Sequence, residues 1–267
     1  MTAGLSAIAA FRLTTAEPER LIAFYRAIGF TVGEAVAISP QEMTLLGLQG
    51  GGRRLSLGLG AGRLELEIFD RQGRPYPEGA TAADLCFQHL ALLAEDAAAA
   101  WIKARGCGAR PISADGAVRL PASAGGVTAV KFRDPEGHPL EFLQFPAGDA
   151  ASRIGGPRID HSAISVSDSG ASRRFYQSLG LAPGASSLNH GPTQAGLDGL
   201  ADVRVEVQAM TPPRAAPHLE LLGYRHPVGR RSPPSPANDV AATRILWKAD
   251  RNALLRDPDG HLHVLER

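Results

Sequence analysis

A chain of 267 residues with 44% hydrophobic content and a formal charge of +1 has material for one large or two smaller cores. Its balanced, interspersed charges exclude the basic footprint of a nucleic-acid or anionic-membrane binder, which leaves a small molecule as the expected partner. No apolar run approaches the roughly 20 residues needed to span a bilayer, and the start MTAGLSAIAAFRLTT lacks a basic leader, so a cytoplasmic monomer or homodimer is expected.

In chain order, AEPERLIAFYRAIGFTVGE places Leu21, Phe24, Tyr25 and Ile28 at helical spacing behind an acidic start, with Gly29 suited to the C-cap. RLELEIF then alternates like a strand, and 71–81 reads as a Gly/Pro linker. From Phe87, FQHLALLAEDAAAAWIKARGCG has the order strand, acid, helix, glycine, and KFRDPEGHPLEF at 131–142 leads into a further strand. After a second linker at 146–156, IDHSAISVSDSGASRRFYQSLGL repeats the strand and helix, so that Phe175 and Gly180 answer Phe24 and Gly29. Asn189 and His190 sit in a Gly/Pro stretch that reads as a loop, and HLELLGY is a strand. The third linker, 226–238, is the longest and is expected to be mobile, its Pro/Arg part at 229–236 above all. A strand at 242–247 and LLRDPDGHLHVL at 254–265 close the chain. Cys86 and Cys107 are too few for a disulfide framework and read as small buried fillers.

The repetition decides the fold class. Units of order β-α-β-β-β fall at about 1–75, 82–147 and 157–226, with a fourth at 238–267 too short for its helix. The expected fold is α+β, with the tandem units forming two half-open mixed-sheet barrels in domains at 1–148 and 157–267. Within KFRDPEGHPLEF, Asp134-Pro135-Glu136-Gly137 has the chemistry of a type I turn. His138, and His261 in the second copy, therefore read first as residues packing a turn.

Tandem β-α-β-β-β units, the RDPEGHPLEF hairpin and the IDHSAISV strand together resemble the vicinal oxygen chelate superfamily, which includes glyoxalase I, extradiol dioxygenases, epimerases and the fosfomycin and bleomycin resistance proteins. In that superfamily two units face one another around a metal whose ligands come from the first and last strand of each unit. Carried over by position, the first-strand ligand falls on Ala10, His89, His161 and Arg244, and the last-strand ligand on Glu65, Glu141, Glu220 and Val264. If the middle units pair, His89, Glu141, His161 and Glu220 share one complete inner site, and the outer units keep an empty one. Neighbour pairing would leave two incomplete sites.

The resemblance implies one divalent metal (Zn, Ni, Co, Mn or Fe) on the inner quartet, with no organic cofactor. The chemistry implied is that of a glyoxalase-like lyase or isomerase, removing a proton next to a carbonyl of a substrate with vicinal oxygens, with Glu141 or Glu220 as the catalytic base. Two alternatives stand beside it: an Fe(II) extradiol-type dioxygenase, and a non-catalytic binding or resistance protein that traps a small molecule. Tyr224 shares a strand face with Glu220, so it, Glu65 and Arg244 are expected to line a substrate cavity, Arg244 as an anion clamp. His218 is expected at a solvated strand end or beside Glu220, Glu67 near a solvated end, and His263 on the face opposite the ligand position.

Overall fold

The computed structural model describes residues 4–149, 156–214 and 216–267. The first unit runs β1 (Ala7–Thr14), α1 (Pro18–Ala27), β2 (Thr31–Ala37), α2 (Pro40–Leu45), β3 (Gly52–Leu59) and β4 (Gly62–Phe69). The second runs β5 (Gln88–Leu93), α3 (Ala97–Gly106), β6 (Arg110–Pro111), β7 (Val118–Arg119), β8 (Thr128–Arg133) and β9 (Pro139–Gln144). The third has β10 (Ile159–Ser165), α4 (Ser169–Ser178), β11 (Ala182–His190), α5 (Pro192–Asp198), β12 (Arg204–Thr211) and β13 (His218–His226). The fourth keeps β14 (Arg244–Lys248), β15 (Ala253–Arg256) and β16 (Leu262–Glu266), with no helix among its described residues. Among the described residues, no helix is long and apolar enough to cross a membrane.

The fold is α+β, built on two open mixed sheets. One has the order β15-β16-β14-β1-β4-β3-β2 and joins the outer units; the other, β11-β12-β13-β10-β5-β9-β8-β6, joins the middle units. Each sheet therefore takes one unit from 1–148 and one from 157–267. The seams are antiparallel, β1 against β14 and β5 against β10, and both carry a bulge, between Ile8 and Ala10 and between Ile159 and His161.

Strand alternation divides each sheet into two faces. Phe11, Leu64 and Trp247 of the outer sheet and Leu90, Leu140 and Leu221 of the inner sheet share one large core with residues of α1, α3 and α4, such as Phe24, Trp101 and Tyr176. The opposite faces carry separate small clusters, and one of them holds the site.

The repeated hairpins fasten consecutive units to one another. Asp134 accepts the backbone N–H groups of Glu136, Gly137 and His138 at 2.8–3.0 Å and the Tyr25 hydroxyl of α1 at 3.0 Å. His138 pairs its Nδ1 with Asp134 at 2.8 Å and its Nε2 with the Thr14 carbonyl at 3.0 Å, while Glu136 accepts the amides of Ala16 and Glu17 at the entry to α1. The second copy repeats the plan, with Tyr176 on Asp257 at 3.0 Å, His261 on the Ser165 carbonyl at 2.9 Å and Asp259 on Ser167. Both histidines pack turns.

The linkers are likewise exchanged in pairs. Arg74 binds Asp239 through its backbone amide and guanidinium, and Arg230 binds Asp84 in the same way. The close approach depends on glycine, since a Cβ at Gly229 would lie 1.7 Å from the Ala83 carbonyl oxygen. The segment at 229–236 is anchored by these bonds and by Arg256 on the Ser235 carbonyl, contrary to the expectation of a mobile loop. Cys107 is exposed at the end of α3 and not a buried filler; Cys86 is half-buried.

Candidate metal centre

The inner quartet converges. Leu90 and Ser162 pair across the seam of β5 and β10, which sets His89 and His161 one residue to either side of the same point. The parallel partners β9 and β13 bring Glu141 beside Ala91 and Glu220 beside Ala163. All four side chains line one cavity of about 410 Å³. His89 Nε2 lies 3.1 Å from Glu141 Oε2, and His161 Nε2 lies 3.5 Å from Glu220 Oε2 and 4.0 Å from Glu141 Oε2. The two imidazole centroids are 5.6 Å apart.

Ligand atoms each about 2.1 Å from one ion stand roughly 3 Å apart when adjacent and roughly 4 Å when opposite, which is the range observed. The donor chemistry agrees, because both ring nitrogens of His89 and Nε2 of His161 are buried with no hydrogen-bond partner. At 3.1 Å from a carboxylate, His89 Nε2 misses hydrogen-bond geometry. His89, Glu141 and His161 each offer a ligand atom within 4.8 Å of the others. The residues present fit a divalent ion.

A carboxylate orients one of the ligands. Asp160 Oδ2 lies 3.0 Å from His161 Nδ1, which leaves Nε2 for the cavity, an outer-shell arrangement common at metal histidines. Neighbours in a regular strand point to opposite faces, so sequence reasoning passed Asp160 over. The bulge between Ile159 and His161 removes that restriction. His218 also lines the cavity, opposite His161 in register and 3.5 Å from Glu220.

Charges in the site follow these contacts. Burial works against a charged His161, but Glu220, Asp160 and Glu141 outweigh it and raise the imidazole to about 9. For His89 burial prevails over Glu141 and lowers its value. Burial alone would raise Glu220, yet His161 and His218 bring it down to about 2. Glu141 is lowered against the same burial effect, first by His89 and then by Lys131 and His161.

Farther along the cavity Lys131 Nζ donates to Asp198 Oδ1 at 2.7 Å, and Gln194 Nε2 donates to Asp198 Oδ2 at 2.8 Å. Tyr224 lines this part as expected. The sequence pointed to none of the other three. The segment GPTQAGLDG, which carries Gln194 and Asp198, forms α5, with Pro192 at its start and Gly199 in the left-handed conformation at its end. That signal was available. Asn189 and His190 end a strand and not a loop, and Asn189 faces the cavity.

Glu65 and Arg244 do not line this cavity. They belong to the outer sheet, where Phe11 and Ile245 take the places of Leu90 and Ser162. By that register Ala10, Arg244, Glu65 and Val264 stand where the inner sheet has His89, His161, Glu141 and Glu220. Arg12, in the place of Ala91, donates to Glu65 at 2.7 Å and Glu42 at 2.6 Å, and Arg54 reaches Glu42 at 2.5 Å and Glu67. Arg244 is fully buried and pairs with Glu67, with the Thr14 hydroxyl accepting from it at 3.0 Å. It is thus an ion-pair partner and not an anion clamp. Glu67 is fully buried as well, not near a solvated end. Met43 and Leu46 pack on Ala10, Leu246 and Val264, so this face is filled. His263 points into the main core, bonded to Tyr176 at 2.9 Å and Trp247 at 3.0 Å.

The profile of the Glyoxalase/Bleomycin resistance protein/Dioxygenase superfamily matches residues 7–142. The chain belongs to that superfamily. A search of curated protein sequences finds no match. Glyoxalase I from Zea mays superimposes with a TM-score of 0.62 at 14% identity, covering 97% of this chain and 92% of that one. Its V278E mutant gives 0.64 with the same identity and coverage. At this identity the likeness is one of fold, and it extends across all four units of this superfamily member.

Proposed function

We propose that this chain is a metal-dependent lyase or isomerase of glyoxalase type, acting on a small molecule with vicinal oxygens by moving a proton next to a carbonyl. The observation that supports this reading is the convergence of His89, Glu141 and His161 with metal-ligand spacing, and of Glu220 3.5 Å from His161, in a cavity large enough for a small substrate. An ion of the Zn, Ni, Co, Mn or Fe type held there supplies Lewis-acid polarisation of the carbonyl.

The protein groups divide the remaining work. The base is assigned to Glu220 as the more accessible of the two glutamates, its side chain being 22% exposed against 6% for Glu141. It takes the proton from carbon and returns it to the neighbouring carbon, with His218 3.5 Å away. Glu141 stays between His89 and Lys131 as a fixed ligand. Asp160 keeps the His161 tautomer.

A second reading has its own observation. His89, Glu141 and His161 are the tightest group, and two imidazoles with one carboxylate is the ligand set of non-haem Fe(II) oxygenases. One set of measurements separates the readings: metal content of protein purified without a His-tag, proton exchange of 2-oxoaldehydes in D₂O, and O₂ uptake with catechols. Glyoxalase-type chemistry predicts about one metal per chain, lost in the His89→Ala, His161→Ala double variant, with exchange and no O₂ uptake. O₂ uptake favours the dioxygenase. Ligand-induced thermal stabilisation without either reaction favours a binding protein. Equal and negligible metal in both proteins rejects the metal centre.

A further inference from the structure

The two halves of the molecule use the same short helix for opposite purposes. On the outer sheet α2 lays Met43 and Leu46 onto the sheet and closes it. On the inner sheet α5 brings Ala195 and Asp198 at the matching places counted from the first proline, and the space left open is the cavity. Gln194 stands where α2 has Glu42. Asp198 is a carboxylate taken up by Lys131, so it accepts from Gln194 and fixes which end of the amide faces it. Gln194 Oε1 is left over. It belongs to a residue only 4% exposed, lines the cavity and has no hydrogen-bond partner. The Tyr224 hydroxyl lines the same cavity, buried beside the Asp198 carboxylate without meeting hydrogen-bond geometry to it.

Two buried, unpartnered polar groups of opposite kind, an acceptor and a donor, are costly unless a ligand completes them. The rest of this part of the cavity is mostly apolar, formed by Leu120, Val127, Phe145, Val205, Val207 and Leu222, with the uncharged Ser187 and Asn189 beside Val207 and Val205. Among the described residues Lys131 is the sole lysine or arginine in the lining, and Asp198 already holds it. A second anionic group on the substrate would meet no free cation there.

Building on the metal-centre reading, we propose that the site takes a molecule with chelating oxygens at one end and an uncharged, largely apolar body, ending in a hydroxyl or amide that Gln194 and Tyr224 read. Gln194 accepts the substrate's N–H or O–H, and Tyr224 donates to its oxygen. The two act as specificity-determining residues away from the reacting atoms.

Hydroxamates carry vicinal oxygens and serve as probes: benzohydroxamate and its 4-hydroxy and 4-carboxylate forms, titrated calorimetrically into Co²⁺-loaded, metal-free and His89→Ala, His161→Ala protein. The 4-hydroxy probe is expected to bind about 5-fold more tightly than the parent and about 10-fold more tightly than the carboxylate, as one or two hydrogen bonds provide. Gln194→Leu and Tyr224→Phe should each reduce the 5-fold preference to below about 2-fold. Tyr224→Phe removes a single oxygen and keeps the test decisive if Gln194→Leu folds poorly. Tighter or equal binding of the carboxylate, a preference unchanged in the variants, or no binding of any probe overturns the proposal. The same ranking in metal-free and double-variant protein rejects the metal centre and leaves this proposal standing, whereas metal-dependent binding without the ranking does the reverse.

Discussion

Arg244 and His161 occupy equivalent positions in the two sheets, each one residue from the pair at the centre of its seam, yet one carries a permanent guanidinium and the other a ring nitrogen with no partner. Around Arg244, three carboxylates (Glu42, Glu65, Glu67) meet three guanidiniums (Arg12, Arg54, Arg244). On the outer sheet, arginine supplies the positive charge that a metal would supply on the inner one.

Removing one member of that network should therefore cost far more than replacing a matched pair. Glu67→Gln leaves the buried Arg244 short of its counter-charge and should destabilise the protein by about 3–5 kcal/mol, whereas Glu67→Leu combined with Arg244→Met should recover most of the loss. Urea denaturation of the three proteins measures both values. An equal loss in the single and double variants would contradict the account.

The same network predicts sensitivity to acid. Burial works to raise Glu67, but Arg244, Arg54 and Arg12 outweigh it and bring the carboxyl down to about 2 from its ordinary 4.5. A depressed folded-state value adds stability that is complete above 4.5 and disappears as the pH falls towards 2. The difference in urea midpoint between wild type and Glu67→Gln should narrow across this interval and stay flat from about pH 6 to 8.

Metal uptake should depend on pH through one proton. In the metal-free protein His161 stays protonated up to about 9, while burial keeps His89 neutral at lower pH. Binding must expel the His161 proton, so affinity for Co²⁺ should rise about tenfold per pH unit between roughly 7 and 9 and then level off. Competition titrations with a chromophoric chelator give the slope. A pH-independent affinity would remove His161 from the ligand set.

The hairpin fastenings should contribute in both halves. Tyr25→Phe deletes one bond to a buried carboxylate and should cost about 1–2 kcal/mol, and Tyr176→Phe, which deletes the matching bond to Asp257 and a second to His263, should cost more. Asp134→Ala leaves His138 and its backbone amides without their acceptor and should cost about 3 kcal/mol or more. These losses should appear in denaturation midpoints and leave metal content unchanged, because the hairpins lie outside the site.

The repeat and the α+β class could be read in the sequence, because strand alternation, helix spacing and Asp-Pro-acid-Gly turn chemistry are local properties. His89, Glu141, His161 and Glu220 came from the resemblance, by carrying the superfamily's first-strand and last-strand ligand positions onto this chain, and the fold brings all four to one cavity. Four features were decided by tertiary structure. The pairing of the middle units was favoured in the sequence only by the complete ligand set it yields; which strand edges meet at the seams is set in the folded chain, and there the middle units do pair. Asp160 faces His161 because of a bulge, which breaks the two-residue alternation on which sequence reasoning depends. Lys131 lies 67 residues from Asp198 along the chain and meets it and Gln194 only when α5 covers the inner sheet. Arg244 and Glu67 looked like a clamp and a solvated residue because charged side chains are normally placed at surfaces; mutual neutralisation in a closed interior is a property of the folded arrangement alone.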